Sequence, residues 1–284
     1  VSPVEPPAHV LATFGLDGIE PIALGADWDG GWRCGEVVLS LIADHARAAW
    51  SAKVREDLYV DGMRLARPFR ATDGRYVVSG WRADTFIAGS LEPRFDEIIS
   101  MANRLHEITR KLERPRFLIA PAVAPFTDVD YFQFADRAAW EDHPLAMARK
   151  LGVLDDATED RERAVELVNE LAELRRPVEA EPQLVHGDLS GAVLFAGAAA
   201  PGLTDFTPYW RPATWAAAVV AVDGLAWGGA DDGLLLRWKD LPEWPQMVLR
   251  ALIFRLAVHA VHPRSEADAL PGLEHITEIA RWLL

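Results

Sequence analysis

The sequence predicts an α+β protein of two lobes, a small antiparallel β lobe followed by a larger and mainly helical one. Three observations carry this. Residues 19–84 run as short apolar or alternating stretches punctuated by Gly and Asp-Gly turns, which is the pattern of strands. From about residue 91 the apolar residues recur at helical spacing instead. A chain of 284 residues, 50% of them hydrophobic, is long enough to bury two cores.

Residues 1–18 read as a proline-rich leader and a short helical turn. A strand IEPIALG, a turn GADWDGG and a strand WRCGEVVLSLI follow. The next stretch, DHARAAWSAKVREDL, is an amphipathic helix over 44–58. LARPFRA and RYVVSGWRA, joined by a Thr72-Asp73-Gly74 hairpin turn, complete a five-stranded sheet. The expected domains are 1–84 for the β lobe, 85–90 (TFIAGS) for a hinge and 91–284 for the helical lobe.

In that second lobe the spacing predicts a helix over 93–112, with Phe95, Ile98, Ile99, Ala102, Leu105 and Ile108 on one side and His106 as a core or rim histidine. Further helices are expected over 135–142 and 157–174, the latter opening on acids that suit the helix dipole. Residues 213–227 are almost wholly apolar and so buried. Asp223 within them needs a partner, in the catalytic loop or at a neighbouring helix end, because an unpaired buried carboxylate is too costly. Residues 245–262 and 271–284 form the last helices.

A formal net charge of −14 and a pI near 5.0 exclude a nucleic acid held through its phosphates. A neutral or cationic small molecule is the expected substrate. The single cysteine, Cys34, has no partner for an intramolecular disulfide, which agrees with a reducing compartment. No basic stretch precedes an apolar core near residue 1, and the most apolar run, Trp215 to Val222, is too short to span a bilayer. The expectation is a soluble cytoplasmic protein with no membrane partner.

Chemistry concentrates in residues 184–212, LVHGDLSGAVLFAGAAAPGLTDFTPYWRP. Strand-like runs at 193–195 and 202–206 flank an Ala/Pro/Gly turn, and the resulting hairpin brings Asp188 and Asp205 to one end. Two acids so placed suit phosphoryl transfer, one orienting the acceptor hydroxyl and the other holding Mg²⁺.

HGDL, the hairpin and TDF resemble the catalytic and metal loops of the aminoglycoside phosphotransferase and choline kinase superfamily, itself similar to protein kinases. HGDLSGxVLF with DFTPYWRP is similar to an actinobacterial branch of it. The resemblance implies a two-lobed protein-kinase-like fold and ATP or GTP with Mg²⁺ as cofactors. It makes Asp188 the catalytic base, with His186 beside it in the catalytic loop, and Asp205 the metal ligand. It also implies a phosphate-covering loop built on Gly25, Gly30 and Gly31, although Asp27 and Asp29 put negative charge there. Ser40 stands at the nucleotide-facing position of the following strand.

The chain departs from the pattern twice. Ser40 occupies the place of the phosphate-pairing lysine, and Ala192 or Val193 that of the asparagine that ligates a second metal. Only two asparagines exist, Asn103 and Asn169, both on helices elsewhere; Ser190 or Thr207 with water is the remaining help for a metal on Asp205. Lys53, Arg33 and Arg47 are the candidate replacement cations, with Glu56 as a helix partner. An ammonium about 4 Å from a phosphate contributes about 4 kcal/mol at an effective dielectric near 20, so its loss matters.

Two functions therefore stand side by side: a small-molecule phosphotransferase with rearranged cations, and a pseudokinase that binds a ligand or protein partner without transferring phosphate. A third is a structural subunit docking a partner through the aromatics of Phe126 to Trp140.

Overall fold

A computed structural model of the chain describes residues 4–283, so Val1 to Pro3 of the leader and Leu284 lie outside the described residues. After α1 (Ala8–Thr13), β1 (Ile22–Ala23), β2 (Trp32–Cys34) and β3 (Val37–Leu41) form antiparallel neighbours. α2 (His45–Asp57) starts where Asp44 accepts hydrogen bonds from the Ala46 and Arg47 N–H groups at 2.9 and 3.0 Å. Beyond β4 (Arg64–Leu65), β5 (Val77–Val78) and β6 (Trp81–Thr85) finish a five-stranded sheet in the order β1-β2-β3-β6-β5.

That count matches the expectation, but the strands differ. WRCGEVVLSLI and RYVVSGWRA are each a hairpin rather than one strand. In the second, Ser79 and Gly80 both take positive φ, the two-residue turn that fits the twist of paired strands. LARPFRA does not join this sheet. Pro68 makes only an isolated bridge to Asp84, while Arg64–Leu65 pairs in parallel with a strand nearly 140 residues further on. Proline lacks the ladder N–H, so the segment cannot continue as an inner strand.

Residues 86–89 lead into β7 (Ser90–Leu91), and the helical region follows: α3 (Phe95–Thr109), α4 (Asp128–Trp140), α5 (Ala146–Lys150) and α6 (Glu159–Ala172). α4 begins seven residues before its expected start because Thr127 and Asp130 make a capping box. Then come β8 (Gln183–His186), β9 (Val193–Phe195), β10 (Gly202–Leu203), β11 (Pro208–Arg211), α7 (Ala213–Ala226), α8 (Gly233–Arg237), α9 (Trp244–Val261) and α10 (Leu270–Leu283). β9 and β10 are the expected hairpin, and a second sheet orders β4-β10-β9-β7.

α7 and α9 are apolar on nearly every side and form the centre of the helical core, packed by α3, α4, α6 and α10. Tyr209, Trp215, Phe254 and Phe132 pack ring to ring there. The aromatics of 126–140 belong to this packing: Phe134 is buried, and Phe126 and Tyr131 sit edge-on against it, which overturns the expected docking stripe. Ile108, expected on the inner face of α3, is exposed. No helix among the described residues is long and apolar enough to cross a membrane.

Phe254 has 0% exposure at the meeting point of α4, α7 and β11. Phe254→Ala is expected to destabilise the chain by about 3–5 kcal/mol, read from the urea midpoint.

Candidate functional site

Two strand ends set the geometry of the two acids. β8 pairs with β11 so that His186 faces Pro208, and the Gly187 N–H donates to the Thr207 carbonyl at 3.0 Å. A Cβ on Gly187 would lie 2.3 Å from the Tyr209 ring, so only glycine fits this crossing. Asp188 and Asp205 thereby leave neighbouring strand ends toward one cleft.

His186 is fully buried, and both ring nitrogens are engaged. Nδ1 accepts from the Asp188 N–H at 3.0 Å; the proton therefore sits on Nε2, which donates to the Asp205 carbonyl at 3.1 Å. Its own N–H donates to His106 Nε2 at 3.0 Å. His186 thus ties the two acidic loops together and meets neither solvent nor cleft. Burial lowers the pKa of both histidines, His106 to about 3.

Asp205 is saturated with donors on one oxygen. Arg82 Nη1 stands 2.7 Å from Oδ1, Ser51 Oγ donates at 3.1 Å, the Phe206 N–H at 2.6 Å, and Arg55 Nη2 lies 3.8 Å away. Burial alone would raise this carboxyl, but Arg82 and Arg55 override it and hold it well below the usual range. Arg55, with 0% side-chain exposure, also reaches Asp84 at 2.8 Å and donates to the Ala66 carbonyl at 2.8 Å.

Sequence reasoning missed this network. Arg82 is the cross-strand partner of Ser40, so its side chain shares the face on which the expected lysine would stand. The cation has moved one strand over. The helix-strand ion pair is also reversed, with the base, Arg55, on α2 and the acid, Asp84, on β6. Signals were present: Arg82 and Asp84 alternate on one strand face, and Ser51 and Arg55 are four apart on the buried stripe of α2.

None of the named alternatives pairs with Asp205. Lys53 is exposed. Arg33 bonds the Gly35 carbonyl and Glu36 and lies over the Phe86 ring. Arg47 does line the cleft with Arg82 and Asp205, but its cation sits beside Asp44 at 3.4 Å and makes no bond to Asp205; Glu56 faces outward to Arg70 at 2.9 and 2.8 Å.

The loop carrying Gly25, Gly30 and Gly31 folds into the space between the sheets. A 3₁₀ turn at Ala26–Trp28 buries the Trp28 indole against Val38 of β3, Ala66 and Leu194 of β9, stacked on Phe86 at 5.8 Å. Asp27 accepts from the Leu91 N–H at 2.9 Å. A Cβ on Gly31 would be 3.0 Å from Val38 and 3.1 Å from Ser40, a measure of how closely the loop lies on β3. Asp29 reaches the cleft, where partial desolvation, Asp188 and Asp205 raise its pKa against the pull of Arg82. In the linker, the Phe86 N–H already donates to Glu36 and the Ala88 carbonyl accepts from Arg64.

On the other side Asp188 is exposed, with Arg255 Nη2 at 3.8 Å. Arg255 grips Asp223 through bonds of 2.6 and 2.5 Å. The partner expected for Asp223, a catalytic-loop group or helix end, is thus a guanidinium of α9, whose two bonds oppose the rise that burial gives the Asp223 pKa. Asp188, Ser190, Phe95 and Trp227 line an open pocket of about 540 Å³.

Asp205 offers a metal one uncommitted oxygen, Oδ2, because all its protein contacts fall on Oδ1. Among the described residues no three His, Cys, Asp or Glu side chains cluster to hold a metal. Oδ1 of Asp205 is committed to protein donors, and Ala192 and Val193 are buried apolar groups.

No protein-family model and no curated protein matches the chain. Solved structures do. An aminoglycoside phosphotransferase from Alicyclobacillus acidocaldarius is similar at a TM-score of 0.58 with 15% identity, over 99% of this chain and 95% of that one. An aminoglycoside phosphotransferase crystallised with AMP-PNP and hygromycin B gives 0.57 at 11% identity, over 95% and 96%. A Plasmodium vivax ethanolamine kinase gives 0.51 at 10%, over 94% and 84%. The chain therefore has the two-lobed kinase-like fold that these phosphotransferases share.

Arg55→Ala is expected to cost about 3 kcal/mol in urea unfolding, because it takes from buried Asp84 its 2.8 Å partner and leaves it only Arg82 at 3.3 Å. Replacing the pair together, Arg55→Met with Asp84→Leu, should recover most of that loss. The histidines give a pH signature. His106 is neutral in the folded state down to about pH 3 but protonates near 6.5 when unfolded, so its contribution is complete above 6.5 and is lost as pH falls toward 3. At pH 5 the loss is about 2 kcal/mol, and a His106→Gln variant should show a flatter dependence of Tm on pH.

Proposed function

We propose that this protein is a pseudokinase, a kinase-fold module that binds a ligand or partner without transferring phosphate. The observation that carries this reading is Trp28. Its indole lies between β3 and β9, beside the linker, where the resemblance puts a nucleotide base. The same loop sends Asp29 toward Arg82 and Asp205, where phosphates would lie. The loop resembles a built-in ligand, an aromatic ring followed by an anion.

Burial of a tryptophan of this kind contributes about 3 kcal/mol, so an open cleft would be populated at about 1% or less. A nucleotide would bind about a hundredfold more weakly than to an open site. The absent lysine and the Arg82 bond to the Asp205 carboxylate act in the same direction.

One observation favours the phosphotransferase reading: Asp188 is exposed and unobstructed at the mouth of the 540 Å³ pocket, as a base acting on an acceptor hydroxyl must be. Calorimetry with ATP and GTP, each with and without Mg²⁺, separates the two. The pseudokinase reading expects no binding of either nucleotide at millimolar concentration to the wild type, and binding at least about tenfold tighter for Trp28→Ala. Micromolar, Mg²⁺-dependent binding to the wild type that Asp205→Ala abolishes would sink it and restore the phosphotransferase.

A further inference from the structure

Behind the segment that follows Asp205, α2, the turn Arg116–Ile119, α4 and β11 enclose a second pocket. Its inner end holds about 70 Å³, and an outer groove of about 380 Å³ continues it. Arg114, Leu118, Gln133, Asp136 and Arg211 line both parts.

Three guanidinium groups, from Arg47, Arg114 and Arg211, converge on the inner end. Only Arg211 is fully matched, by a two-bond pair with Asp136 at 2.7 and 2.6 Å. Arg47, with 15% side-chain exposure, touches Asp44 at 3.4 Å, and its buried Nε has no hydrogen-bond partner. Arg114 makes no side-chain hydrogen bond or ion pair among the described residues and faces only the already engaged Asp136. Burial lowers the pKa of both free guanidinium groups, and Arg211 lowers that of Arg114 further.

The three cations share two carboxylates, Asp136 on Arg211 and Asp44 at 3.4 Å from Arg47, so the pocket has one positive charge without a counter-charge of its own, and an anion would supply it. The size of the inner end matches a carboxylate or phosphate head. Its other walls, Leu118, Val129, Phe132 and Tyr209, are apolar or aromatic, and the outer groove leads from them past Trp140. The expectation of a neutral or cationic ligand came from the mean charge of the chain; here the local field has the opposite sign.

We propose that this pocket binds a small organic anion, seating a carboxylate or phosphate head between Arg47, Arg114 and Arg211 and an aromatic or aliphatic body in the groove. The pocket adjoins the cleft of Asp29, Arg82 and Asp205 and shares Arg47, Val129, Thr207 and Pro208 with it, whereas Arg114 and Arg211 line this pocket and not that cleft.

The test titrates the full chain with phenyl phosphate, benzoate and neutral benzyl alcohol, following Tm and heat. At least one anion should raise Tm, benzyl alcohol should not, and the comparison of the two anions identifies the head group. Arg114→Gln, at an exposed position, should leave the unliganded Tm within a degree or so and weaken anion binding at least about tenfold. Arg47→Gln should weaken it as well. No shift with either anion at about 10 mM, or equal affinity for wild type and Arg114→Gln, would overturn the proposal. So would a shift lost in Arg82→Gln but kept in Arg114→Gln, which would put the anion in the cleft.

Discussion

The ion pair between Arg82 and Asp205 is the contact on which the cleft depends. It joins the five-stranded sheet to the loop after β10. With Arg55 and Asp84 it forms a set of two cations and two anions, neutral as a whole. Neutrality is what lets four charged groups sit where water is scarce, since each alone would face a desolvation cost of several kcal/mol. Losing a lysine from β3 would strand Asp205 beside Asp188. A cation on the adjacent strand, Arg82, balances the charge of Asp205 in its place.

The closed loop follows from the same contact. Once Arg82 is drawn down to Asp205, Asp29 finds a cation beneath it, and the 3₁₀ turn that delivers Asp29 also swings Trp28 inward. Trp28 contributes apolar burial, Asp27 a hydrogen bond to β7, and Asp29 an electrostatic contact. Gly31 is the glycine that serves close approach of the loop to its own strand.

Much of the fold could be read from the sequence because its signals are local. The Asp44 cap, the spacing of Ile98, Ile99, Ala102 and Leu105, and the turn between Phe195 and Gly202 act within a few residues. The acidic loops were legible for the same reason. What escaped depends on pairing between distant segments. Nothing near Ser40 announces that Arg82 lies across from it, and the reversed pair of Arg55 with Asp84 appears only when α2 is laid on β6. Trp28 read as a turn residue, because its burial is set by Val38, Ala66 and Leu194, which arrive from three separate stretches. The aromatics of 126–140 were misjudged for want of the partner helix, α9, that covers them.

β4 has a consequence for how the lobes move. Its two residues come from the β half of the chain but pair with β10, inside a sheet otherwise made of strands from residue 90 onward. Arg64 adds bonds to the Ala200 and Ala88 carbonyls. The lobes are therefore joined at this strand as well as at the linker and through the Arg82–Asp205 pair, so any relative motion of the two must carry or break the β4–β10 pairing. Cutting the chain at the linker would leave each piece with an unpaired strand edge.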